Sequence, residues 1–491
     1  MSYRDIIQRE EKRLVADPSG RGYDEREPGA PCQGTHSMKF LFTTLTSNDL
    51  GLLTRSLPIA GELAARGHQV AFCNPAQAPS KLIAQAGFDN LLLKHPLFYL
   101  QMAGELDLRD LYRKFRSERL KREFGSLFSI VIKLMRAMPT RLPSITPDVW
   151  NMDHFAALIG MLNENFVRAS FEAFRALMGE YDPDILVDFW NPFACLAARA
   201  ARKPLVTVIQ ADMHPASQGF IWWKEPAPEM HRPVSIVNKI LAEHNLQPID
   251  KIAQLFVGDL TLVLGMPETD PLPEKTEAIY IGPILWQQPD AKIPDWFEAL
   301  SKDRPVVWVY SGNPHYLPIS TPIDSNVILH ACTAALANEE VQVVLTTGHH
   351  ALPKEILPLP ANFRFEPFVP GLVMAKRSDL LIHHGGYGSC QTGLYTGTPA
   401  VIIPTYSERE SNARRIAAVG AGEFVVPTET ASRKKYVPAE ELRAKVRQVL
   451  SDPYYTINAR RISKQMQAYG GAPEAARLIE NLAEKVRRLV S

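Results

Sequence analysis

The chain has 491 residues, with 54 Lys and Arg against 53 Asp and Glu and a formal net charge of +1. At about 150 residues per domain this length fits two or three domains and excludes a single small module. The balanced charge disfavours a nucleic-acid partner, and 46% hydrophobic with 22% charged residues excludes a wholly disordered chain. Five widely spaced cysteines without a C-x-x-C pair predict reduced thiols, and neither a zinc site nor a disulfide framework.

The N-terminus is charged and lacks the apolar core of a signal peptide. No run of about 18 apolar residues occurs along the sequence. Residues 1–37 carry Pro and Gly turns among dense charge, with too few apolar residues for a core face. We therefore expect a cytoplasmic protein with a flexible N-terminal arm over residues 1–37.

Alternating strands and helices begin at Met38 and are typical of a doubly wound parallel sheet. The run MKFLFTT predicts a buried strand, SNDLGLL a loop, and SLPIAGELAARGH a helix with Leu57, Ala60 and Ala64 on one face. Five more strands are predicted in this first domain, residues 38–285: QVAFC, DILVDF, PLVTVIQ, DLTLVLG and AIYIG.

The section from Lys94 to Gly179 predicts mostly helix. Its basic run RKFRSERLKREF precedes the apolar run LFSIVIKLM. We interpret the pair as a solvated helix face followed by a core helix, and peripheral contact with a membrane surface stays open as the alternative.

A polar, Pro-rich stretch at Gly282–Asp295 predicts the linker between two domains. The strand-helix alternation then resumes with PVVWVYSG, QVVLTTG, FRFEPFV, DLLIHHGG, PAVIIP and GEFVV. We predict a second doubly wound domain over residues 286–452 and C-terminal helices at 453–491 that pack back on the first domain. The expected fold class is α/β, with two Rossmann-like parallel sheets.

The segment DLLIHHGGYGS ends a predicted strand with a glycine-rich turn. Gly386 and Gly388 allow a tight turn that exposes successive backbone N–H groups, and Ser389 can cap the next helix. A helix N-terminus carries partial positive charge, so the turn suits a diphosphate, with His384 and Ser389 adding side-chain hydrogen bonds. A glycine turn beside a merely buried histidine is the alternative interpretation.

The residues after this turn extend the pattern to G-T-P at 397–399, Pro404, Glu408 and Asn412. This stretch resembles the signature of the UDP-glycosyltransferase-like family: H-G-G-x-G-(S/T), then G-x-P, Pro, an acidic residue and Asn. Residues 38–485 resemble the family in the same order, which is far more specific than one glycine motif. The resemblance implies the GT-B fold, in which two Rossmann-like domains face each other across a cleft.

The resemblance also implies which residues hold a nucleotide-sugar donor. They are Ser311, Gly312, Phe368, Val369, His384, Gly386, Gly388, Ser389, Glu408 and Arg409. Phe368 falls where the family stacks an aromatic ring on the base, and Glu408 falls where it binds sugar hydroxyls. Arg409 replaces the usual Gln, which favours a donor sugar other than glucose. Two further positions depart from the pattern. Thr392 stands where many family members have a Glu that binds the ribose, and Gly371 replaces another common Gln.

The family's usual catalytic histidine falls on Leu52, which has no titratable group. Its acidic partner falls on Asp188 at the end of the strand DILVDF, and Asp49 lies three residues before Leu52. Either carboxylate is a candidate base, since attack by an acceptor hydroxyl requires removal of its proton. Asp212 and His214, after another strand end, are further candidates, although loop Asp residues commonly form turns.

The activity implied by the resemblance is inverting transfer of a hexose or deoxyhexose from a UDP- or dTDP-sugar to a hydroxyl of a lipophilic small molecule, without a cofactor or metal. Six aromatic residues in the N-terminal half suit such an acceptor, with about half of them expected in the core: Phe98, Tyr99, Trp190, Phe193, Trp222 and Trp223. Leu52 motivates a second hypothesis, a non-catalytic partner protein that binds nucleotide sugars. A nicotinamide-dependent dehydrogenase is disfavoured because no G-x-G-x-x-G turn follows the first strand.

Overall fold

The computed structural model describes residues 37–47, 50–93, 148–225, 232–287, 292–312, 325–348, 350–430 and 435–490. Several sequence predictions fall outside these ranges. They concern the arm over residues 1–36, Cys32, Asp49, Phe98, Tyr99 and the basic and apolar runs between residues 113 and 135.

Seven parallel strands form the N-terminal sheet, in the order β3-β2-β1-β4-β5-β6-β7. They are β1 (Lys39–Thr44), β2 (Gln69–Cys73), β3 (Asp89–Asn90), β4 (Ile185–Phe189), β5 (Leu205–Ile209), β6 (Leu260–Leu264) and β7 (Ile279–Gly282). The central strands β1 and β4 pair in register, with Thr43 opposite Asp188. The carboxyl ends of all these strands meet at one edge of the sheet, where Asp188 lies.

Helices cover the faces of this sheet because each of them carries an apolar stripe. They are α1 (Gly51–Ala65), α2 (Gln77–Gln85), α3 (Met152–Ala156) with a π turn at Ala157–Met161, α4 (Glu164–Tyr181), α5 (Pro192–Ala200) and α6 (Val234–Glu243). Two 3₁₀ turns lie at Ala211–Met213 and Ile252–Phe256.

Helix α1 begins at Gly51, so part of the predicted loop SNDLGLL is helical. Leu52 and Leu53 extend the apolar face of the helix by one turn, and their side chains are buried in the N-terminal core. Leu57 and Ala60 are buried as predicted, whereas Ala64 is only half-buried. The helix ends at Ala65, and Gly67 follows with a φ of +89°.

Six parallel strands form the C-terminal sheet, in the order β10-β9-β8-β11-β12-β13. They are β8 (Val306–Tyr310), β9 (Gln342–Thr346), β10 (Phe363–Phe365), β11 (Leu380–His383), β12 (Ala400–Ile402) and β13 (Gly422–Phe424). A separate antiparallel hairpin joins β14 (Thr428–Glu429) to β15 (Lys435–Tyr436). The two parallel sheets confirm the predicted α/β class with two Rossmann-like domains.

The C-terminal half contains seven helices among the described residues. They are α7 (Ser325–Leu336), α8 (Gly371–Arg377), α9 (Tyr387–Thr396), α10 (Ser407–Ala418), α11 (Ala439–Ser451), α12 (Pro453–Met466) and α13 (Gly471–Val490). Two 3₁₀ turns lie at Asp295–Ala299 and Lys354–Ile356. Within the described ranges, no helix combines the length and the apolar character that crossing a membrane requires.

The last two helices lie on different domains. Helix α12 packs on α9 of the C-terminal domain, because Ala459, Ile462 and Met466 are buried in that domain's core. Helix α13 packs on α1, and its apolar face joins the N-terminal core. Of the segment 453–491 that was predicted to pack on the first domain, Gly471–Val490 contributes to that domain's core, whereas Pro453–Met466 contributes to the core of the second.

Candidate active site

The predicted glycine-rich turn follows β11 at the centre of the C-terminal sheet. His384 is buried, and Gly385 has a φ of +86°, with its Cα facing the backbone of Arg409 so closely that a Cβ would lie 2.7 Å from the carbonyl oxygen. The chain reverses there, so helix α9 begins at Tyr387 with Gly386 as its N-cap. The prediction that Ser389 caps the helix is wrong, because the helix starts two residues before Ser389.

The first turn of α9 offers backbone donors to the space between the domains. The first intrahelical hydrogen bond runs from Cys390 N to Gly386 O at 3.1 Å. The N–H groups of Tyr387, Gly388 and Ser389 precede that bond, and Gly388 is exposed while Ser389 is half-buried. Together with the helix dipole these donors can hold an anion.

His384 lies against the loop after β8, which the sequence analysis assigned to the same ligand. Gly312 has a φ of +81°, and a Cβ there would lie 2.7 Å from His384 Nδ1. Ser311 is buried beside it, its N–H donating to Thr346 O at 3.3 Å. The structure thus brings Ser311, Gly312 and His384 together across the ends of two neighbouring strands.

The imidazole of His384 is neutral in this setting. Burial, and then the positive charge of Arg409, hold the pKa of His384 well below its usual range. Its Nδ1 is buried and has no hydrogen-bond partner among the described residues. A neutral ring with an unsatisfied nitrogen is suited to hydrogen bonding with a ligand oxygen.

Glu408 is tied to the glycine turn through an amide side chain. Asn412 Nδ2 donates to Glu408 Oε1 and to Gly385 O, each at 2.9 Å. Burial raises the pKa of Glu408, and the Asn412 hydrogen bond opposes the rise. These two hydrogen bonds therefore fix the position of the Glu408 carboxylate beside the glycine-rich turn.

The side chain of Arg409 contacts residues of the C-terminal domain. Its Nη1 donates to Thr405 Oγ1 at 2.7 Å, and its guanidinium carbon lies 4.7 Å from the centre of the Tyr406 ring. The residue is 5% exposed. The contact of Arg409 with a donor sugar stays a prediction, as does stacking of a base on half-buried Phe368 beside buried Val369.

Asp188 is enclosed by the chain at the end of β4. Thr43 Oγ1 donates to Asp188 Oδ1 at 2.6 Å, and Asn191 N donates to Oδ2 at 3.0 Å. The residue has no exposed surface, and burial raises its pKa to about 7. Leu52, at the family's histidine position, is also buried. The role of Asp188 as a base stays a prediction.

Asp212 faces the other domain, unlike Asp188. Its carboxylate accepts from Ser411 Oγ at 3.0 Å and forms an ion pair with Arg415, both on α10. Burial raises the pKa of Asp212 to about 6, and the charge of Arg415 opposes the rise. His214, the neighbouring candidate, is buried, and its Nδ1 accepts from Ala216 N at 3.1 Å, which stabilises a turn.

Four residues of this interface were not predicted from the sequence. Asp270, six residues after β6, accepts a hydrogen bond from Tyr387 Oη at 3.0 Å and lies 3.8 Å from Arg415 Nη1. Arg55, three residues after Leu52, lies over the Tyr387 ring, with 5.3 Å between its guanidinium carbon and the ring centre. Two signals were available in the sequence: Asp270 follows a strand end, and Arg55 lies in the helical turn that carries Leu52.

Two of the aromatic residues expected at an acceptor surface belong to the core. Trp190 packs edge-on against Phe155 at 5.4 Å between ring centres, and Phe193 packs against Phe166 at 5.2 Å. Both are buried because their strand-to-helix connection turns them toward α3 and α4 rather than toward the cleft.

The two remaining described tryptophans of that set lie between the domains. Trp222 is 37% exposed, and its Nε1 donates to Ser411 Oγ at 3.1 Å. Trp223 stands edge-on to Trp222, with the guanidinium carbon of Arg414 4.5 Å from its ring centre. These two rings line the side of the interface that carries Asp212.

Metal ligands are not grouped in this region. Among the described residues, no three His, Cys, Asp or Glu side chains come together in a way that could hold a metal ion. The described thiols, Cys73, Cys195, Cys332 and Cys390, are free and buried. Burial raises the pKa of each of these thiols, so they are poor nucleophiles at neutral pH.

Comparison with known proteins finds similarity to proteins named as glycosyltransferases. Residues 330–483 match the family model described as Erythromycin biosynthesis protein CIII-like, C-terminal domain. The chain is 32% identical over 207 residues to 4'-demethylrebeccamycin synthase of Lentzea aerocolonigenes, which covers 42% of this chain and 45% of that protein. It is 26% identical over 353 residues to a PGL/p-HBAD biosynthesis glycosyltransferase of Mycobacterium tuberculosis, covering 66% of this chain and 75% of that protein.

The same architecture occurs in solved structures. The crystal structure of the glycosyltransferase VinC in complex with dTDP superposes with a TM-score of 0.58 at 19% identity, over 92% of this chain and 100% of that chain. This agreement confirms the GT-B fold. The similarity to relatives named as glycosyltransferases agrees with the resemblance found in the sequence. The match to the rebeccamycin relative spans less than half of that relative's length.

Proposed function

Because the chain has the GT-B fold and is related to natural-product glycosyltransferases, we propose that it transfers a hexose or deoxyhexose from a UDP- or dTDP-sugar to a hydroxyl of a lipophilic small molecule. The observation that carries the proposal is the turn at His384. There the start of α9 and the Gly312 loop both lie against the buried imidazole of His384.

The proposed chemistry is a single displacement at the anomeric carbon. As the bond from the sugar to the diphosphate breaks, negative charge collects on the leaving oxygen. The N–H groups at the start of α9 and the helix dipole stabilise that charge, so the chain's own donors can supply what a metal ion supplies elsewhere. One displacement inverts the anomeric configuration. Glu408, held by Asn412 and Gly385, would bind the sugar hydroxyls.

The proposed bases are Asp49 and Asp188. A pKa of about 7 for Asp188 lies in the range useful to a base at neutral pH. Both of its oxygens accept hydrogen bonds from Thr43 and Asn191, so a proton would reach it through Thr43 Oγ1 or after a shift of that residue. Asp49 immediately precedes Leu50 in the chain. Separate Asn variants distinguish the two carboxylates.

The proposed donor and acceptor are supported by the relatives and by the aromatic residues between the domains. VinC was crystallised with dTDP, which supports a dTDP- or UDP-sugar as the donor. The half-exposed Trp222 and the neighbouring Trp223 offer an apolar wall for the acceptor in the N-terminal half. The relatives named above act in rebeccamycin and PGL/p-HBAD biosynthesis, which supports a lipophilic acceptor.

Titration calorimetry with UDP, dTDP and GDP tests the donor site. We expect UDP or dTDP to bind, His384→Ala to weaken binding, and the exposed His330→Ala on α7 to leave it unchanged. Absence of binding to all three nucleotides contradicts the proposal. Transfer to a panel of apolar alcohols, with the anomeric configuration read by NMR, then tests the reaction.

Leu52 favours one competing function, a nucleotide-sugar-binding partner protein without catalysis. Its side chain is buried and provides no base. The same experiments separate the two functions, because a partner protein would bind UDP- or dTDP-sugars yet give neither transfer nor slow hydrolysis of the donor.

A further inference from the structure

An arginine of the N-terminal domain reaches the proposed diphosphate site of the C-terminal domain. Arg55 lies in the first turns of α1, where its Nε donates to Gly51 O at 2.8 Å. Its guanidinium carbon lies 5.3 Å from the ring centre of Tyr387, the first residue of α9. The residue is only 9% exposed, so its cation is held at the interface and does not extend into solvent.

The charge of Arg55 acts on groups at both ends of the donor site. Burial and the charge of Asp270 raise the pKa of Tyr387, and the Arg55 cation opposes that rise. At Glu408, which the proposed function assigns to the sugar, the Arg55 cation likewise opposes the effect of burial. The charge of Arg55 therefore acts both on Tyr387, at the start of α9, and on Glu408.

Two further arginines, Arg415 and Arg409, lie in the same region. Arg415 forms an ion pair with Asp212 and lies 3.8 Å from Asp270. Arg409 donates to Thr405 within the C-terminal domain. Of these three arginines, Arg55 is the one that comes from the N-terminal domain and faces the start of α9.

We propose that Arg55 binds the donor diphosphate from the N-terminal side and stabilises the leaving group as a further catalytic residue, an inference that rests on the proposed function. In the reaction, the acceptor oxygen bonds to the anomeric carbon, and its proton goes to the carboxylate base. The bond from that carbon to the β-phosphate oxygen breaks, and its electron pair stays on the nucleoside diphosphate. A guanidinium offers two parallel N–H donors to the oxygens on which this charge develops.

The position of Arg55 also links donor binding to domain contact. The N–H groups of α9 and His384 belong to one domain and Arg55 to the other, so a diphosphate held by all of them bridges the two. A nucleoside monophosphate has no β-phosphate for Arg55 to reach. The contribution of Arg55 is therefore expected for diphosphates and not for monophosphates.

The test compares Arg55→Gln and Arg55→Lys with Arg175→Gln, which removes an exposed arginine from α4 of the same domain. Calorimetry measures UDP, dTDP, UMP and dTMP, and steady-state kinetics use the UDP- or dTDP-sugar that the wild type turns over. We expect Arg55→Gln to lose about tenfold in diphosphate affinity, with monophosphate affinity unchanged, and on the order of 100-fold in kcat at saturating donor. Arg55→Lys keeps the positive charge but loses the two parallel donors, so its diphosphate affinity and kcat should lie between those of the wild type and Arg55→Gln. Arg175→Gln should match the wild type.

The outcomes separate the two proposals. Wild-type protein that binds neither UDP nor dTDP contradicts the proposed function. Wild-type binding with equal diphosphate affinity and kcat in Arg55→Gln and Arg175→Gln overturns the role of Arg55 alone. Losses confined to donors whose sugar carries a carboxylate would assign Arg55 to the sugar and likewise overturn the diphosphate role. If Arg55→Gln does not fold, the kcat and affinity of Arg55→Lys decide.

Discussion

Replacing Arg415 by methionine removes the guanidinium that lies between two buried carboxylates of the other domain. Arg415 is paired with Asp212 and lies 3.8 Å from Asp270, and the two acidic side chains are 1% and 2% exposed. Breaking a buried ion pair from one side costs about 3–5 kcal/mol, because the remaining charge has neither partner nor water. We expect the lower end, about 3 kcal/mol, since both carboxylates keep hydroxyl donors: Ser411 for Asp212, and Thr269 and Tyr387 for Asp270.

The pH dependence of this loss identifies its cause. Burial raises the pKa of Asp212 to about 6 and also raises that of Asp270, whereas an unfolded Asp titrates near pH ~3.9. The folded state therefore binds more protons between about pH 4 and 6, and acidification through that window increases the free energy of unfolding. Without Arg415 both pKa values rise further, so the variant regains more stability on acidification than the wild type does.

Differential scanning fluorimetry provides the measurement. At about pH 7, a loss of about 3 kcal/mol lowers the Tm by roughly 6 °C for a domain of about 250 residues, and we expect less than half of that shift at about pH 5. Arg461→Met is the matched control, because Arg461 pairs with Glu268 across the same domains with both side chains about 40% exposed; it should cost at most about 1 kcal/mol. Equal Tm shifts in the two variants at neutral pH, or a shift in Arg415→Met that persists undiminished in acid, would refute this reasoning.

Three further predictions concern the donor site and the base. Gly386→Ala places a methyl group 2.3 Å from His384 Nε2, whereas Gly179→Ala on α4 meets no atom within 4 Å. Calorimetry should show UDP or dTDP affinity on the order of tenfold weaker in the first and normal in the second, and equal affinities would contradict the geometry. Because the pKa of His384 lies well below its usual range, the ratio of wild-type to His384→Ala affinity should be the same at about pH 5.5 and pH 7.5, and a ratio that grows in acid would show that the imidazole gains a proton. Asp188→Asn should lower turnover by on the order of 100-fold with nucleotide affinity unchanged, and full turnover removes Asp188 from the mechanism.

The strands of both sheets could be predicted because each buried parallel strand is a short apolar run ended by turn residues. The run DLLIH before the glycines is one such strand, and it lies at Leu380–His383. The strands that escaped prediction are two residues long: β3 at Asp89–Asn90 and the hairpin of Thr428–Glu429 with Lys435–Tyr436. These pair through the backbone, and their polar side chains give no periodic signal.

The donor half of the site was more predictable than the catalytic half. Positive φ at Gly385 and the helix start at Tyr387 are local, so a glycine motif reports them. The contact of Asp212 with Ser411 joins residues 199 positions apart, and no local pattern encodes it. Trp190 was predicted to line the acceptor surface but belongs to the core. An aromatic residue after a strand can face either the cleft or the core, and the local sequence does not distinguish the two.

In the described part of the chain, two segments that pass between the lobes touch each other, at Gly282–Pro283 and at Tyr469–Gly471. A Cβ on Gly282 would lie 2.3 Å from Tyr469 Cβ, and one on Gly471 would lie 3.2 Å from Pro283 O. Two adjacent crossings define a pivot, so any rotation that separates the lobes turns about this line and opens them most at the opposite rim. Helix α13 belongs to the first lobe and α12 to the second, so a rotation of the lobes would have to bend the short segment between Met466 and Gly471.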